Sequence, residues 1–405
     1  MSLSTFPFLR EDTFQPSCLL HKLQETEPIS KVKLFDGSEA WLLTKHKDIC
    51  TALASDQLSV DRLARGYPEI YEGGRKAKEQ RPTFINLDDP AHDEQRAMLE
   101  PFFTKDAIER LKPLIRGTVT MMLHTFETKL RDAKGKPVDL IENFAARVPT
   151  HIVSKVLGIP VEDIPKISQD SAVRTGTSRT AAEQSDLNLK EYMEKLVERK
   201  IEAPQGNDII STLVREQYLY GKLMKDDVVN LALLVLTAGN AAIANSIGLG
   251  VVTLLQHPEE VRRLREYSRA VPHVVNELLR YNTTSALNCR RAVKEDFFVD
   301  GYRLKKGEGV ICATQIGDRC STMTQHADAF NSIRHYDPAN VLGLGYGVHR
   351  CQGEWLVRAE LEAVFGTLFN RLPDLTLAVD KIEDLTFTPP DQNIGLLELP
   401  VKLAS

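Results

Sequence analysis

The chain has no low-complexity run, no internal repeat and no linker-like stretch; its 20 prolines and 23 glycines are spread through 405 residues. That excludes a solenoid or a string of tethered modules, and the simplest reading is one large domain over residues 1–405. Cysteine is scarce. Six in so long a chain build no disulfide framework and point to a reducing compartment. Cys18, Cys50, Cys289, Cys312 and Cys320 form no C-x-x-C pair that would complete a zinc site with His349 and Cys351. Positive charge is not in excess either: 51 basic against 56 acidic residues leave a net charge of −5, which argues against a general nucleic-acid binder. The opening Met1-Ser2-Leu3-Ser4-Thr5-Phe6-Pro7 holds no apolar anchor and no signal-peptide core. The expected location is the cytoplasm, with a mitochondrial form made with an extra leader left open. Finally, no G-x-G-x-x-G dinucleotide fingerprint is present.

One long apolar run is present. Val228 to Gln256 contains no charged residue, and by hydropathy alone it would pass for a membrane span. Asn230, Asn240, Asn245 and Ser246 interrupt it, however, as do Gly239, Gly248 and Gly250. It reads as a long helix buried all round in a large soluble protein. Helical patterning dominates from Pro90 to Tyr281. Val32–Phe35 and Ala40–Leu43 read as a strand pair around Asp36-Gly37-Ser38. Short strands return from Phe297 to Ile311 around Asp300-Gly301, and Ile394 to Val401 alternates like a closing strand pair. The fold class is therefore mainly α with small β-sheets.

The most informative stretch is Leu344-Gly345-Tyr346-Gly347-Val348-His349-Arg350-Cys351-Gln352-Gly353, running into a helical pattern from Glu354 to Leu372. Its glycines allow tight bends and close approach to something flat and large. A cysteine at a helix start is favoured as thiolate, the form that ligates iron. His349 and Arg350 place donors beside it. A glycine-rich turn around a buried structural cysteine is the other reading. The spacing closely resembles the haem-thiolate loop of the cytochrome P450 family, F-G-x-G-x-H-x-C-x-G, with Leu344 in place of the leading Phe. The resemblance implies the fold of that family, haem b, and Cys351 as the axial metal ligand.

Other segments carry the same resemblance. Glu277-Leu278-Leu279-Arg280 matches the family's E-x-x-R, a pair sharing one helix face, with Phe330 and Arg334 as the third member of its network. His92 and Arg96, four apart after Asp88-Asp89-Pro90, suit one haem propionate, and Arg291 and His349 are further cofactor contacts, with Gly345 in the loop. The apolar run matches the helix that crosses the distal face of the haem. Oxygen-activating members carry A-G-x-(D/E)-T there. This chain has Ala238-Gly239-Asn240-Ala241-Ala242, so both proton donors are missing. Thr237, five residues before position 242 and about 140° away around the helix, cannot substitute.

Ala-Gly-Asn-Ala resembles the fungal nitric oxide reductase branch. So do Val32-Lys33-Leu34-Phe35-Asp36-Gly37-Ser38, Thr44-Lys45-His46-Lys47-Asp48, Arg280-Tyr281, Ser285-Ala286-Leu287, Lys294-Glu295-Asp296 and Leu399-Pro400-Val401. That branch converts two NO and one NAD(P)H to N2O and water, with hydride taken directly from NADH or NADPH and no redox-partner protein. Its distal pocket must admit an anionic dinucleotide. From Asp61 to Arg81 six basic residues (Arg62, Arg65, Arg75, Lys76, Lys78, Arg81) face four acids, a local charge of +2. Arg174 and Arg290 match basic positions at the same entrance. Gly73-Gly74 leave room there, which favours acceptance of NADPH through Arg75 and Lys76.

Two positions depart from the branch: Ala242 stands for a threonine and Asn393 for an acid, with Asp391 two residues away. Ser285 then becomes the expected proton-relay hydroxyl, alongside Asn240 and Ala242 as the positions that define the chemistry. A monomer is expected. The competing readings are a monooxygenase fed by a ferredoxin or other redox partner, a peroxygenase, and a non-catalytic haem sensor of NO.

Overall fold

The computed structural model describes residues 3–10, 15–76, 81–174, 179–389 and 392–404. The chain forms two compact units: Met1–Gln95 with His273–Gln352 and Phe387–Ile394, and Arg96–Pro272 with Gly353–Thr386 and Gly395–Ser405. Each unit is assembled from separated stretches of sequence. A chain that returns to each unit repeatedly needs no linker, which is why composition shows none.

The first unit is organised by a five-stranded sheet, in the order Ile29–Lys33, Glu39–Leu43, Gly309–Cys312, Arg290–Val293 and Leu58–Ser59. The expected N-terminal strand pair is there, with Val32 opposite Ala40 and Gly37 turning at φ +85°. Its buried side chains, Ile29, Val32, Leu42 and Leu43, pack on both faces of the sheet. Arg290 pairs with Ile311 and Arg291 with Val310. Successive strand side chains leave on opposite faces, so these adjacent arginines serve different surroundings. A separate hairpin joins Phe297–Val299 to Tyr302–Leu304 through Asp300 (φ +45°) and Gly301 (φ +81°). Two left-handed residues make the turn whose twist matches the strands.

The second unit is helical. Lys225–Leu255 packs against Arg147–Leu157, Arg179–Glu202 and Glu354–Phe365. Its start is held by the Asp227 carboxylate, which accepts the Met224 N–H at 2.8 Å. At 31 residues it is long and apolar enough to cross a membrane, yet helices of the same unit pack against it and bury half of its most apolar window. Ile247 to Leu254 are buried without a break. Close packing accounts for its glycines: a Cβ on Gly248 would stand 2.6 Å from Ile141 Cδ1. Burial all round stops short of the middle, where Ala238 is exposed and Ala241 and Ala242 are half-buried.

The C-terminal expectation needs correction. Ile394 to Val401 is not a strand pair. The strand is Pro400–Leu403, which pairs with Leu375–Leu377 and Val138–Asp139. Distant partners, invisible to local alternation, moved the strand downstream. The helix expected from Glu354 to Leu372 likewise ends at Phe365, with a short second piece at Leu368–Arg371.

Candidate functional site

The cysteine loop is braced by backbone geometry. Gly345 and Gly347 adopt φ +74° and +71°. The Cys351 N–H donates to the Leu344 carbonyl at 2.8 Å, closing the loop, and Gly353 then caps helix Glu354–Phe365. A Cβ on Gly347 would lie 2.5 Å from the Leu53 carbonyl oxygen, and one on Gly343 2.5 Å from that of Leu279. These two glycines approach the protein's own backbone rather than a flat ligand. Arg350 also differs from expectation. It donates to the carbonyls of Ala339 (2.8 Å) and Gly345 (2.9 Å), with longer bonds to Val341 and Pro338. It stitches the loop together. Cys351 is exposed, whereas burial pushes the Cys50 thiol up to about 11 and raises those of Cys289 and Cys312.

Behind the loop lies a buried charge network. Arg280 forks onto Glu277 at 2.8 and 2.7 Å, and both side chains are fully buried. Its remaining donors reach the carbonyls of Asp318 (2.8 Å), Ala327 (2.7 Å) and Ala329 (3.2 Å). Arg334 completes the group at 3.3 Å from Glu277, as the motif implied, and Phe330 packs edge-on against Tyr281. The sequence reading missed Asp318. Its carboxyl accepts the N–H groups of Leu342 (2.8 Å) and Gly343 (2.9 Å) at the start of the cysteine loop, and bonds Thr283 Oγ1 at 3.0 Å. Burial pushes its pKa up to about 7. A single buried acid thus ties the E-x-x-R helix to the loop, and nothing local in sequence marks it.

His92 and His349 are brought together, their ring centroids 4.2 Å apart. His92 is fully buried; its Nδ1 lies 2.9 Å from Asp89 Oδ1, while its Nε2 is buried with no hydrogen-bond partner among the described residues. An orphaned ring nitrogen there fits an anionic group such as a haem propionate. Arg291 is buried and donates one N–H to the Arg290 carbonyl at 2.9 Å, so its other donors are available to such a group. Arg96 sits one turn beyond His92 on helix Ala91–Phe103.

On the central helix Asn240 is buried and Ala242 half-buried. The Thr237 hydroxyl donates to the Leu233 carbonyl at 2.9 Å, so it is spent on its own helix. Ala238 is exposed and Gly239, Ala241 and Ala242 are half-buried, so small residues surround Asn240 in the middle of this apolar helix. In the other unit Ser285 lies half-buried in the turn after helix Val271–Asn282. Ile394 N–H donates to Thr284 O at 2.9 Å, which brings Ile394 beside that turn, and Asn393 Oδ1 is buried with no partner among the described residues. Asp391 lies outside the described residues.

The basic segment is more neutral than its count suggests. Glu69, buried, takes two bonds from Arg62 (2.9 and 2.8 Å) and one from Arg290 (3.0 Å). Both arginines also lie over the Tyr67 ring. Two cations on one anion leave a local charge of +1. The space expected beside Gly74 is filled: a Cβ there would stand 2.3 Å from Glu69 Oε2. Arg65 is exposed, its stem against Gly307. The side chains of Arg75, Lys76 and Arg174 lie outside the described residues, as does Lys78.

Comparison with known proteins agrees with this geometry. Residues 172–403 match the cytochrome P450 family. The chain is 41% identical over 403 residues to cytochrome P450 55A3 of Fusarium lichenicola, covering 99% of this chain and 98% of that one. It is 34% identical to pentalenic acid synthase of Streptomyces avermitilis, over 98% and 96%. The crystal structure of cytochrome P450 MoxA from Nonomuraea recticatena superimposes with a TM-score of 0.92 at 31% identity, over 99% and 98%. With the cysteine loop, the buried E-x-x-R network and full-length similarity in agreement, the chain belongs to the cytochrome P450 family of haem-thiolate oxidoreductases.

Proposed function

We propose that this protein is a nitric oxide reductase that converts two NO to N2O with electrons taken directly from NADH or NADPH. The carrying observation is the central helix: Asn240 and Ala242 stand where oxygen-activating relatives place an acid and an alcohol, and the nearby Thr237 hydroxyl is bonded to Leu233 O at 2.9 Å. Without those donors, cleavage of bound oxygen lacks its proton supply, whereas NO reduction requires no such cleavage. The 41% identity to a Fusarium protein fits the fungal branch that the Ala-Gly-Asn-Ala run resembles.

When bound, haem supplies the redox centre, with Cys351 as its thiolate ligand. The chain's own residues do the rest. His92, Arg96, Arg291 and His349 hold the propionates. Arg350 and Asp318 keep the loop in one shape. Arg65, with Arg75, Lys76 and Arg174, receives the dinucleotide phosphates, and the excess positive charge of Arg62 and Arg290 on Glu69 adds to the attraction at that entrance. Ser285 relays protons through ordered water. The whole chain acts as one domain, as a cytoplasmic monomer.

A second reading is a monooxygenase served by a redox partner, favoured by relatives such as the pentalenic acid synthase. The deciding experiment is anaerobic: purified protein, NO and NADH or NADPH, without any redox partner. Nucleotide oxidation matched one-to-one by N2O supports the reductase. An NO-loaded protein that persists with either nucleotide overturns it.

A further inference from the structure

Three of the six cysteines gather at one apolar cluster of the first unit. Cys312 belongs to it and is fully buried; Cys50 and Cys289, both half-buried, pack against it. The sheet pairs two of the three. Strands Arg290–Val293 and Gly309–Cys312 run antiparallel with Arg290 opposite Ile311 and Arg291 opposite Val310, so the next position outward sets Cys289 opposite Cys312. The Cys312 N–H donates to the Cys289 carbonyl at 2.8 Å, the mark of a hydrogen-bonded cross-strand pair. Opposed residues share one face of a sheet, and at such a position their Cα atoms stand about 5.5 Å apart, inside the span of about 4.4–6.8 Å that a disulfide bridges. The Cβ atoms, at about 5.5 Å, must close to about 4 Å. Cys289 is placed to make that move: it precedes its strand, directly after the turn in which the Asn288 N–H donates to Ser285 O at 3.2 Å.

We propose that Cys289 and Cys312 are a redox-modification site, a dithiol that a low-molecular-weight disulfide converts to a cross-strand bridge, with Cys289 attacking and Cys312 resolving. The order follows from the surroundings. Burial raises the pKa of both thiols, and the guanidiniums of Arg291 and Arg290 oppose that rise at Cys289, which is also the more exposed. The Cys289 thiolate, its proton released to solvent, attacks one sulfur of the small disulfide. A mixed disulfide forms, the small molecule's S–S bond breaks, and its other half leaves and takes up a proton. Cys312 then gives up its proton and attacks the Cys289 sulfur; the Cys289–Cys312 bond forms and the second half leaves as a thiol. Two protein thiols are oxidised and one small disulfide is reduced to two thiols. The bridge fastens the turn at 285–288, and the start of the strand bearing Arg290 and Arg291, to Gly309–Cys312. It does not depend on which reaction the haem catalyses.

The test uses the haem-loaded holoenzyme, equilibrated with 2-hydroxyethyl disulfide at about pH 8, near the ordinary thiol value, then quenched in acid, alkylated and mapped by peptide mass spectrometry. The haem absorption band, followed throughout, shows that any linkage forms in the folded protein. The wild type should yield the Cys289–Cys312 peptide pair with the loss of two free thiols, reversed by dithiothreitol. Cys312→Ser should instead accumulate Cys289 as the mixed disulfide, and Cys50→Ser should bridge as the wild type does. Recovery of Cys289 and Cys312 as alkylated thiols, a bridge from Cys289 to Cys50, or a mixed disulfide that persists at Cys289 in the wild type would each overturn the proposal. Should Cys312→Ser fail to fold, the wild-type map decides alone.

Discussion

Asp318 makes the structure testable without any substrate. Its carboxyl is fully buried, bonded to Leu342 N, Gly343 N and Thr283 Oγ1. The Thr283 hydroxyl reaches two acceptors at 3.0 Å, the Asp318 carboxyl and the Arg280 carbonyl. Burial opposes the charge that these donors favour on Asp318. Its pKa rises from 3.8 to about 7, burial being the largest cause. The folded form holds its proton where the unfolded chain has released it, so stability from this group is full below about pH 4 and falls as pH rises toward about 7. A gap of about three pH units corresponds to about 4 kcal/mol. With an unfolding entropy of about 2.1 cal/mol/K per residue, 405 residues give about 0.85 kcal/mol/K, so the melting point moves by about 5 °C. Asp318→Asn removes the titration but sets an amide against Gly343 N–H, costing about 1–3 kcal/mol relative to the neutral acid. Melting curves of both proteins from pH 4.5 to 7.5 should show the wild type losing about 3 kcal/mol relative to the variant as pH rises, so that its initial advantage vanishes or reverses. Parallel pH profiles would refute the reasoning.

Glu277→Ala should cost about 3–5 kcal/mol, because it strands the buried Arg280 and removes the carboxylate that Arg334 shares, and should be seen as loss of haem-loaded protein on expression. Glu360 is buried with neither carboxyl oxygen bonded among the described residues, and burial raises its pKa well above the ordinary value. Glu360→Leu should therefore stabilise, by about 1–3 kcal/mol near neutrality, and the gain measured by denaturation should grow as pH rises and the wild-type acid is forced to ionise. Ser285→Val should slow NO turnover if its hydroxyl relays protons, and unchanged turnover excludes it; Ala242→Thr should raise the rate by supplying the alcohol the helix lacks.

What could be read before the fold was known is what is local. The Gly-x-Gly spacing before Cys351, the three-residue spacing of Glu277 and Arg280, and the charge-free run from Val228 each depend on neighbours within a few turns of chain. Such patterns survive translation into structure, because periodicity and backbone conformation are short-range. They were enough for the family and the fold class. The missed features join residues far apart. Asp318 meets Leu342 and Thr283 across loops, Glu69 gathers Arg62 and Arg290, and Arg350 turns from a cofactor donor into a brace for its own loop. A charge counted in sequence has no partner until the chain folds, and the partner decides whether it is a site or a support. Sequence alone determined which chemical groups this protein owns. Tertiary structure decided which of them were already spent on holding it together, because a buried hydrogen-bonding group must be satisfied by whatever the fold brings within about 3 Å.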